Sequence, residues 1–179
     1  LDFSGNEVWV RALPDSEPGI SPIALHGGTI FTTGRDMNFG TQVWALDLQG
    51  NLMSQFSLPD NLGTDLDRLA VDDSGLYFAN YLGLIAKYDF SGVEIWRHQI
   101  PSDTLAHGGV IAVDSGRVYF GARSRDSNFE LRRFDSQGNE QWRRQWGDGT
   151  PNGLSTRQGK AYAAGFSGAR YSSSGGLLV

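Results

Sequence analysis

The chain has 179 residues, of which 39% are hydrophobic, 20% are charged and none is cysteine. This is the composition of a folded domain, and the absence of cysteine excludes disulfide frameworks, zinc sites with thiolate ligands and cysteine nucleophiles. The formal net charge of −5 argues against nucleic acid or an anionic membrane as a partner, and no apolar run approaches the roughly 18 residues of a membrane span.

A short turn motif recurs along the chain and predicts its organisation. It begins at positions 1, 46, 88 and 134, with a weaker copy at position 171. Successive copies lie about 40 residues apart, a spacing typical of repeat architectures, among which the β-propeller fits this length best. Because the sequence opens on a turn motif at Leu1, we expect the chain to begin inside a repeat, as a processed or partial product.

An aspartate precedes the glycine in each full copy of the motif. Its carboxylate can accept hydrogen bonds from backbone N–H groups two or three residues further along, while the glycine takes the left-handed conformation. We therefore interpret these aspartates as turn-closing residues and not as a repeated acidic site. They are Asp2, Asp47, Asp89 and Asp135.

Each repeat is predicted to contain four short strands in a single domain. The first two form hairpins at residues 23–31, 69–78, 111–120 and, more weakly, 154–162, each with a small loop that contains glycine. The third strands end at residues 46, 88 and 134, and the fourth strands follow the motif at 7–13, 52–58, 94–100 and 140–146. The predicted repeats are 1–13 (partial), 20–58, 67–100, 110–146 and 152–179 (partial).

Three tryptophans share one position relative to the motif. Trp9, Trp96 and Trp142 each lie in a predicted fourth strand, whereas the second copy has Ser54 at that position. A large aromatic residue at a fixed repeat position is typical of packing between neighbouring blades. We therefore predict contacts between blades for these side chains and not a ligand platform.

The repeated unit resembles the bacterial β-propeller repeats of the pyrroloquinoline-quinone (PQQ) enzyme type. The local match is strongest at residues 86–96, which resemble the tryptophan-docking motif of that family, with an alanine first, a glycine seventh and a tryptophan eleventh. Asp89 lies three residues before Gly92, one fewer than in the family motif. The resemblance implies an all-β propeller of four-stranded antiparallel blades in which the repeat supplies architecture and not cofactor binding.

The number of repeats leaves two arrangements open. In one, the chain is an arc of a larger propeller, and its exposed blade faces pair with another copy or another chain. In the other, residues 7–13 complete the last blade and close a small four-bladed ring. The arc is favoured, because residues 171–179 would supply the same closing strand a second time.

The loops that follow the second and fourth strands are predicted to share one face, which is where propellers usually bind. These loops are acidic and contain a few arginines, so calcium is the cation that they would favour. No complete calcium-loop motif is present, and we expect no cofactor, with calcium as the alternative. The candidate binding residues are Asp15, Glu17, Arg35, Asp36, Asp65, Asp67, Asp103, His107, Arg123, Arg125 and Asp148.

The histidines and the arginine pairs do not form a recognisable catalytic constellation. We predict that His26 lies on a hairpin turn, His98 in an outer strand and His107 in a loop of the binding face. The pairs at 132–133 and 143–144 are interpreted as a solvated face of two neighbouring strands.

Three classes of function follow from these features. The favoured one is a non-catalytic scaffold that binds a protein or a glycan and is exported by a bacterium to the periplasm, the cell surface or the medium. The second is part of a quinoprotein-like oxidoreductase. The third is a lectin-like propeller, suggested by aromatic residues near the loops: Phe39, Tyr81, Phe129 and Phe166.

Overall fold

A computed structural model describes residues 3–14, 22–35, 40–59, 68–167 and 175–178, and these contain strands and turns but no helix. Four separate antiparallel sheets follow one another along the chain, each with its strands in sequence order. The first contains β1 (Ile23–His26), β2 (Thr29–Arg35), β3 (Thr41–Leu46) and β4 (Leu52–Ser57). The second contains β5 (Arg68–Asp72), β6 (Gly75–Ala79), β7 (Leu84–Tyr88) and β8 (Glu94–Gln99). The third contains β9 (Leu105–Asp114), β10 (Arg117–Ser124), β11 (Asn128–Phe134) and β12 (Glu140–Asp148), and the fourth contains β13 (Thr150–Arg157), β14 (Lys160–Ser167) and β15 (Gly175–Leu178).

The sheets are the blades of a propeller, and apolar side chains from neighbouring blades fill the space between them. Phe31 and Val43 of the first blade belong to one core cluster with Leu76 and Phe78 of the second. A second cluster joins the second blade to the third, and it includes Tyr77, Ile85, Phe120 and Phe134. Strand β6 is buried along its whole length, because a neighbouring blade covers each of its faces.

The repeated turn motif closes the hairpin between the third and fourth strands, as predicted. The Asp47 Oδ1 atom accepts hydrogen bonds from the backbone N–H groups of Gln49 (2.9 Å) and Asn51 (2.8 Å), and Gly50 has a φ of +80°. Asp89 and Asp135 accept the same pair of backbone bonds. Hydrogen bonds donated by the side chain and by the backbone N–H of Asn51 hold the pKa of Asp47 below its ordinary value of 3.8.

The turn aspartates predict a loss of stability in acid. Hydrogen bonds to Ser91 and Asn139, respectively, also lower the pKa values of Asp89 and Asp135 below 3.8. A carboxyl whose pKa is lower in the folded state stabilises the fold above its unfolded pKa and loses that contribution as the pH falls through its folded pKa. We therefore expect the free energy of unfolding, measured with urea, to decline below about pH 4. The Asp135→Asn variant should show a shallower acid slope, and an unchanged slope would contradict this prediction.

Aromatic side chains of the outer strands dock on the turn glycines of the next blade. The Trp96 indole N–H donates to the Ser136 carbonyl oxygen over 3.0 Å, and a Cβ placed on Gly138 would lie 2.8 Å from the indole ring. Trp9 makes the same two contacts, with the Leu48 carbonyl oxygen (2.9 Å) and with Gly50. Trp9 and Trp96 therefore make the packing contacts that were predicted for them.

Phe56 takes the docking position in the blade where the sequence has serine instead of tryptophan. Its ring lies over Gly92 of the second blade, so close that this glycine has no room for a Cβ. Phe56 is two residues beyond Ser54 on β4, and alternate residues of a strand point to the same face. The missing tryptophan is thus replaced by an aromatic residue from the same side of the same strand.

The blades form an open arc and not a closed four-bladed ring. Closure would require residues 7–13 to pair with the fourth sheet, but the described part of that sheet has three strands, β13, β14 and β15. The prediction of a regular strand at residues 7–13 is also wrong, since residues 6–13 belong to none of the sheets. A strand is defined by pairing to a neighbouring strand, whereas this segment is held against the first blade through Trp9.

The arginine pairs form a solvated face only in part, since Arg143 and Arg144 are exposed as expected, whereas the expectation is wrong for Arg132. Arg132 is buried, and its Nε donates to the Glu130 Oε1 atom over 2.6 Å, while its Nη1 donates to the Glu140 Oε2 atom over 2.8 Å. Glu130 is fully buried and also forms an ion pair of 2.7 Å with Arg143. Burial of such charges requires mutual pairing, and the sequence pattern alone did not reveal the carboxylates that supply it.

Candidate binding rim

The connections between strands place two different rims on the arc. The hairpins between first and second strands and between third and fourth strands form one rim, which we call the turn rim. Since antiparallel strands reverse direction at each connection, the remaining connections lie on the opposite rim. We define the loop rim by residues 80–83, 101–104, 125–127 and 148–149.

The loop of the second blade exposes two apolar side chains on a rigid turn. The Asn80 side-chain oxygen accepts hydrogen bonds from the backbone N–H groups of Leu82 and Leu84, each over 2.9 Å. Gly83 supplies the positive φ of +85° that this turn requires. Tyr81 and Leu82 are consequently held outward, with about half of each side chain exposed. An exposed aromatic and aliphatic pair on a fixed backbone is suited to protein contacts.

Polar side chains tie the loops of the third blade together. Arg123 donates from Nη2 to the Ser127 hydroxyl over 2.7 Å and lies 3.8 Å from an Asp148 carboxylate oxygen. Arg125 donates from Nε to the Ser102 carbonyl oxygen over 2.9 Å. The structure thus brings together Arg123, Arg125 and Asp148 with loop 101–104, in which Asp103 is exposed.

Other candidate residues lie in different surroundings. Arg35 is the last residue of β2 and is paired in register with Thr41. His107 was expected in a loop, but its backbone lies in β9 and pairs with Arg123, because β9 extends to Leu105. Asp148 was likewise expected in a loop, but it is the last residue of β12, and only Gly149 separates it from β13, which begins at Thr150. Outside the described residues are Asp15, Glu17, Asp36, Asp65 and Asp67.

The other two histidines have contacts away from the loop rim. His26 lies at the end of β1, on the turn rim, where its Nε2 atom is 2.9 Å from an Asp73 carboxylate oxygen. His98 lies on the outer strand β8, as predicted, with its ring 4.9 Å from the ring of Phe134. Burial lowers the pKa of His98 below its ordinary value of 6.5.

Within the described ranges there is no group of three or more His, Asp or Glu side chains that could hold a metal ion. Calcium requires six or more oxygen ligands, and most of the acidic candidates lie outside those ranges. Calcium binding therefore stays a prediction.

Of the aromatic candidates, Phe129 is fully buried and packs edge-on against Trp146, whereas Phe39 lies outside the described residues.

Sequence reasoning missed two residues that shape the loop rim. Ser127 takes a positive φ of +69° and receives the Arg123 side chain, although a Ser-Asn pair gives only a weak turn signal. Asn80 builds the turn that exposes Tyr81. An asparagine directly after a buried strand and three residues before a glycine is a recognisable signal for such a turn.

A model of a known protein family matches most of the chain. The family model described as outer membrane protein assembly factor BamB, of the PQQ repeat type, matches residues 36–177. The chain belongs to this family. The resemblance to PQQ-type propeller repeats predicted from residues 86–96 is thereby confirmed. No curated protein matches the sequence at a significant level.

Solved structures share the fold of this BamB-family chain at low sequence identity. A protein of unknown function from Bacteroides caccae is 11% identical, with 94% of this chain and 63% of that chain covered and a TM-score of 0.67. Glutaminyl cyclase from Myxococcus xanthus is 16% identical, with 79% and 59% covered and a TM-score of 0.52. BamB from Moraxella catarrhalis is 17% identical, with 89% and 60% covered and a TM-score of 0.49.

The two likenesses with TM-scores above 0.5 show the propeller fold and leave the activity open. The chain spans about six-tenths of the length of the three solved structures, and one of them is an enzyme. One fold commonly hosts unrelated functions. The part of the chain that the structure describes contains no helix long and apolar enough to cross a bilayer.

Proposed function

We propose that this chain is a non-catalytic scaffold module that binds a protein partner through the loop rim and acts in protein assembly. The observation that carries the proposal is the contrast between the rims. The turn rim repeats one Asp–Gly device in three blades, whereas the loop rim presents different side chains at each blade. Loops that differ on a constant scaffold are the usual location of binding function.

The loop rim has the composition of a protein-binding surface. Tyr81 and Leu82 supply an exposed apolar centre, and Arg123, Arg125 and Asp148 supply charge beside it on the next blade. Tyrosine and arginine are the residue types most enriched at the energetic centres of protein interfaces. The family model is described as an outer membrane protein assembly factor. This description supports a partner that is a protein undergoing assembly.

The same family description supports an exported location. We infer that the chain acts outside the bacterial cytoplasm, in the periplasm or at the cell surface. The absence of cysteine is compatible with an oxidising compartment, where a free thiol would be prone to oxidation. Fractionation of the source cells is expected to recover the protein with periplasmic or surface markers.

The partner surface is testable with a photo-crosslinker at single positions. We expect p-benzoylphenylalanine in place of Tyr81 to cross-link one defined protein in cells of the source organism. The matched control places it at Leu48, which is equally exposed but lies on the turn rim. Equal cross-linking from both positions would contradict the proposal. Glycan-array binding that is lost in Tyr81→Ala would replace the protein partner with a carbohydrate and favour the lectin alternative.

A further inference from the structure

The loop rim holds an exposed arginine whose charge is not balanced within the described part of the chain. Arg125 follows β10, where its Nε atom donates to the Ser102 carbonyl oxygen over 2.9 Å and its backbone N–H donates to the Thr104 carbonyl oxygen over 3.2 Å. Among the described residues, no carboxylate forms an ion pair with Arg125. Arg123, on the same rim, lies 3.8 Å from an Asp148 carboxylate oxygen. The charge of Arg125 is therefore available to a partner, unlike that of Arg123.

The hydrogen bond to Ser102 also orients the guanidinium of Arg125. A guanidinium presents its N–H donors as a rigid, planar fork that matches the two oxygens of a carboxylate. Because Nε is occupied, the remaining edge of the fork is the one formed by Nη1 and Nη2, and no hydrogen bond joins either atom to a described residue. A side chain that is already held in place loses less entropy when a ligand binds. Arg125 is therefore prepared to bind a carboxylate through two hydrogen bonds.

The exposed apolar pair of the loop rim, Tyr81 and Leu82, is fastened to the loop that holds Arg125. The side chain of Gln99, at the end of β8, donates from Nε2 to the Leu82 carbonyl oxygen over 3.0 Å. Residues 101–104 begin two positions after Gln99, and they supply the two carbonyl oxygens that hold Arg125. The apolar pair and the guanidinium are thus both attached to one short loop, so a single segment of a partner can contact them together.

Neighbouring acids restrict the kind of partner segment that fits. Asp103 and Asp126 are exposed beside the residues that hold Arg125, and the formal net charge of the chain is −5. Like charges at this range repel each other, so a run of carboxylates would be repelled by the rim. A single carboxylate meets less repulsion and can still reach the guanidinium of Arg125. The rim therefore favours a segment that combines one carboxylate with a large apolar residue.

We propose, taking the proposed function as the basis, that the loop rim binds a segment of its protein partner in which one carboxylate lies near a large apolar side chain. Arg125 binds the carboxylate through Nη1 and Nη2, while the apolar side chain packs on Tyr81 and Leu82. Tyrosine and arginine side chains that lose contact with water in this way are the usual energetic centres of an interface. The carboxylate of an Asp or Glu side chain and that of a chain terminus offer the same two oxygens.

Cross-linking from position 81 in cells of the source organism tests the role of Arg125. p-Benzoylphenylalanine, which keeps an aromatic ring at this position, replaces Tyr81 in chains that also carry Arg125→Gln, Arg125→Glu or Arg125→Lys. We expect the first two substitutions to lower the yield of the cross-linked partner about tenfold, because a charge-assisted hydrogen-bonded pair is lost. Arg125→Lys should lower the yield less, since lysine keeps the charge and loses the planar fork.

A matched control separates this contact from the proposed function. Arg117→Gln removes an exposed arginine at the start of β10, on the turn rim, and should leave the yield unchanged. Circular dichroism of the purified variants checks that each is folded. If position 81 cross-links no protein when Arg125 is intact, the proposed function and the carboxylate contact both fail. If cross-linking occurs but is insensitive to Arg125→Glu, the proposed function stands and the carboxylate contact is overturned.

Mass spectrometry of the cross-linked peptide identifies the carboxylate and its source. We expect an Asp, a Glu or the C-terminal residue of the partner close to a large apolar residue at the cross-linked site. Replacement of that carboxylate by its amide should lower the yield as much as Arg125→Gln does, and the two changes together should lower it no further, because they remove the same contact. A cross-linked segment without a carboxylate, or losses that add, would overturn the proposal.

Discussion

Replacement of Trp96 by alanine is expected to lower the free energy of unfolding by about 3 kcal/mol, as is typical when a large packed aromatic residue is truncated. The variant loses the indole packing on Gly138 and the hydrogen bond to the Ser136 carbonyl oxygen. Both contacts join the second blade to the third, so the loss falls on an interface and not on one sheet. Urea unfolding monitored by tryptophan fluorescence and by far-ultraviolet circular dichroism measures the change.

A double-mutant cycle separates docking from a general loss of packing. Gly138→Ala alone should be destabilising by about 2 kcal/mol or more, because a left-handed residue gains a side chain and its Cβ would lie 2.8 Å from the indole ring. With Trp96 already truncated the clash is absent, and the double variant should lose about 1 kcal/mol less than the sum of the single losses. Additive losses would show that the two residues do not interact. Val93→Ala, at an exposed site of the same blade, should change stability by less than about 0.5 kcal/mol.

Replacement of Glu130 by alanine is expected to be at least as damaging, with a loss of about 3–5 kcal/mol. This carboxylate is fully buried and accepts hydrogen bonds from the Arg132 Nε atom (2.6 Å) and the Gln145 Nε2 atom (2.6 Å). Among the described residues, its removal leaves the buried Arg132 guanidinium with the Glu140 carboxylate as its one ion-pair partner. The free energy of unfolding from urea titration tests the expectation.

A paired substitution shows whether the loss arises from the uncompensated charge. Apolar residues of similar volume often replace a buried ion pair without loss of stability, so Glu130→Leu combined with Arg132→Met should recover most of the stability. Asp73→Asn, which removes the fully exposed carboxylate partner of His26, should give no measurable change. If Glu130→Ala is as mild as this control, the buried charge cluster does not stabilise the third blade.

The sequence was sufficient to predict the blades because the turn motif depends on local chemistry. An aspartate, the glycine three residues later and the intervening backbone close the turn by themselves, so Asp47, Asp89 and Asp135 could be interpreted without knowledge of their neighbours. The tryptophan position was equally regular, and its partner glycine is part of the same repeated motif.

Features that depend on a neighbouring strand or blade could not be predicted in this way. Phe56 docks in place of a tryptophan because it shares a strand face with Ser54, and only the pairing register reveals which aromatic residue reaches Gly92. Arg132 looked solvated because its carboxylate partners lie two and eight residues away, on β11 and β12. His107 was assigned to a loop because the extension of β9 is fixed by pairing with β10.

The order of the strands was sufficient to locate the loop rim. The hydrogen bonds within that rim could not be predicted from the sequence. Arg123, Arg125 and Asp148 were expected on one face; Arg123 lies near the end of β10, Asp148 ends β12, and Arg125 follows β10 in the loop 125–127. The hydrogen bonds that orient them involve the Ser127 hydroxyl and the Ser102 carbonyl oxygen. A backbone carbonyl carries no residue-specific signal, so its role could not be read from the sequence.

Polar contacts between successive blades recur at equivalent positions of the repeat. The Asp72 carboxylate accepts from the Gly116 N–H of the next blade over 2.7 Å, Asp114 accepts from the Gly159 N–H, and Trp96 donates forward to Ser136. Each blade therefore contacts the next one through a repeated set of polar groups. A duplicated blade inserted between two others would find both of its interfaces already provided. Gene duplication can thus lengthen such a propeller in whole units, while the loops of each new unit remain free to diverge.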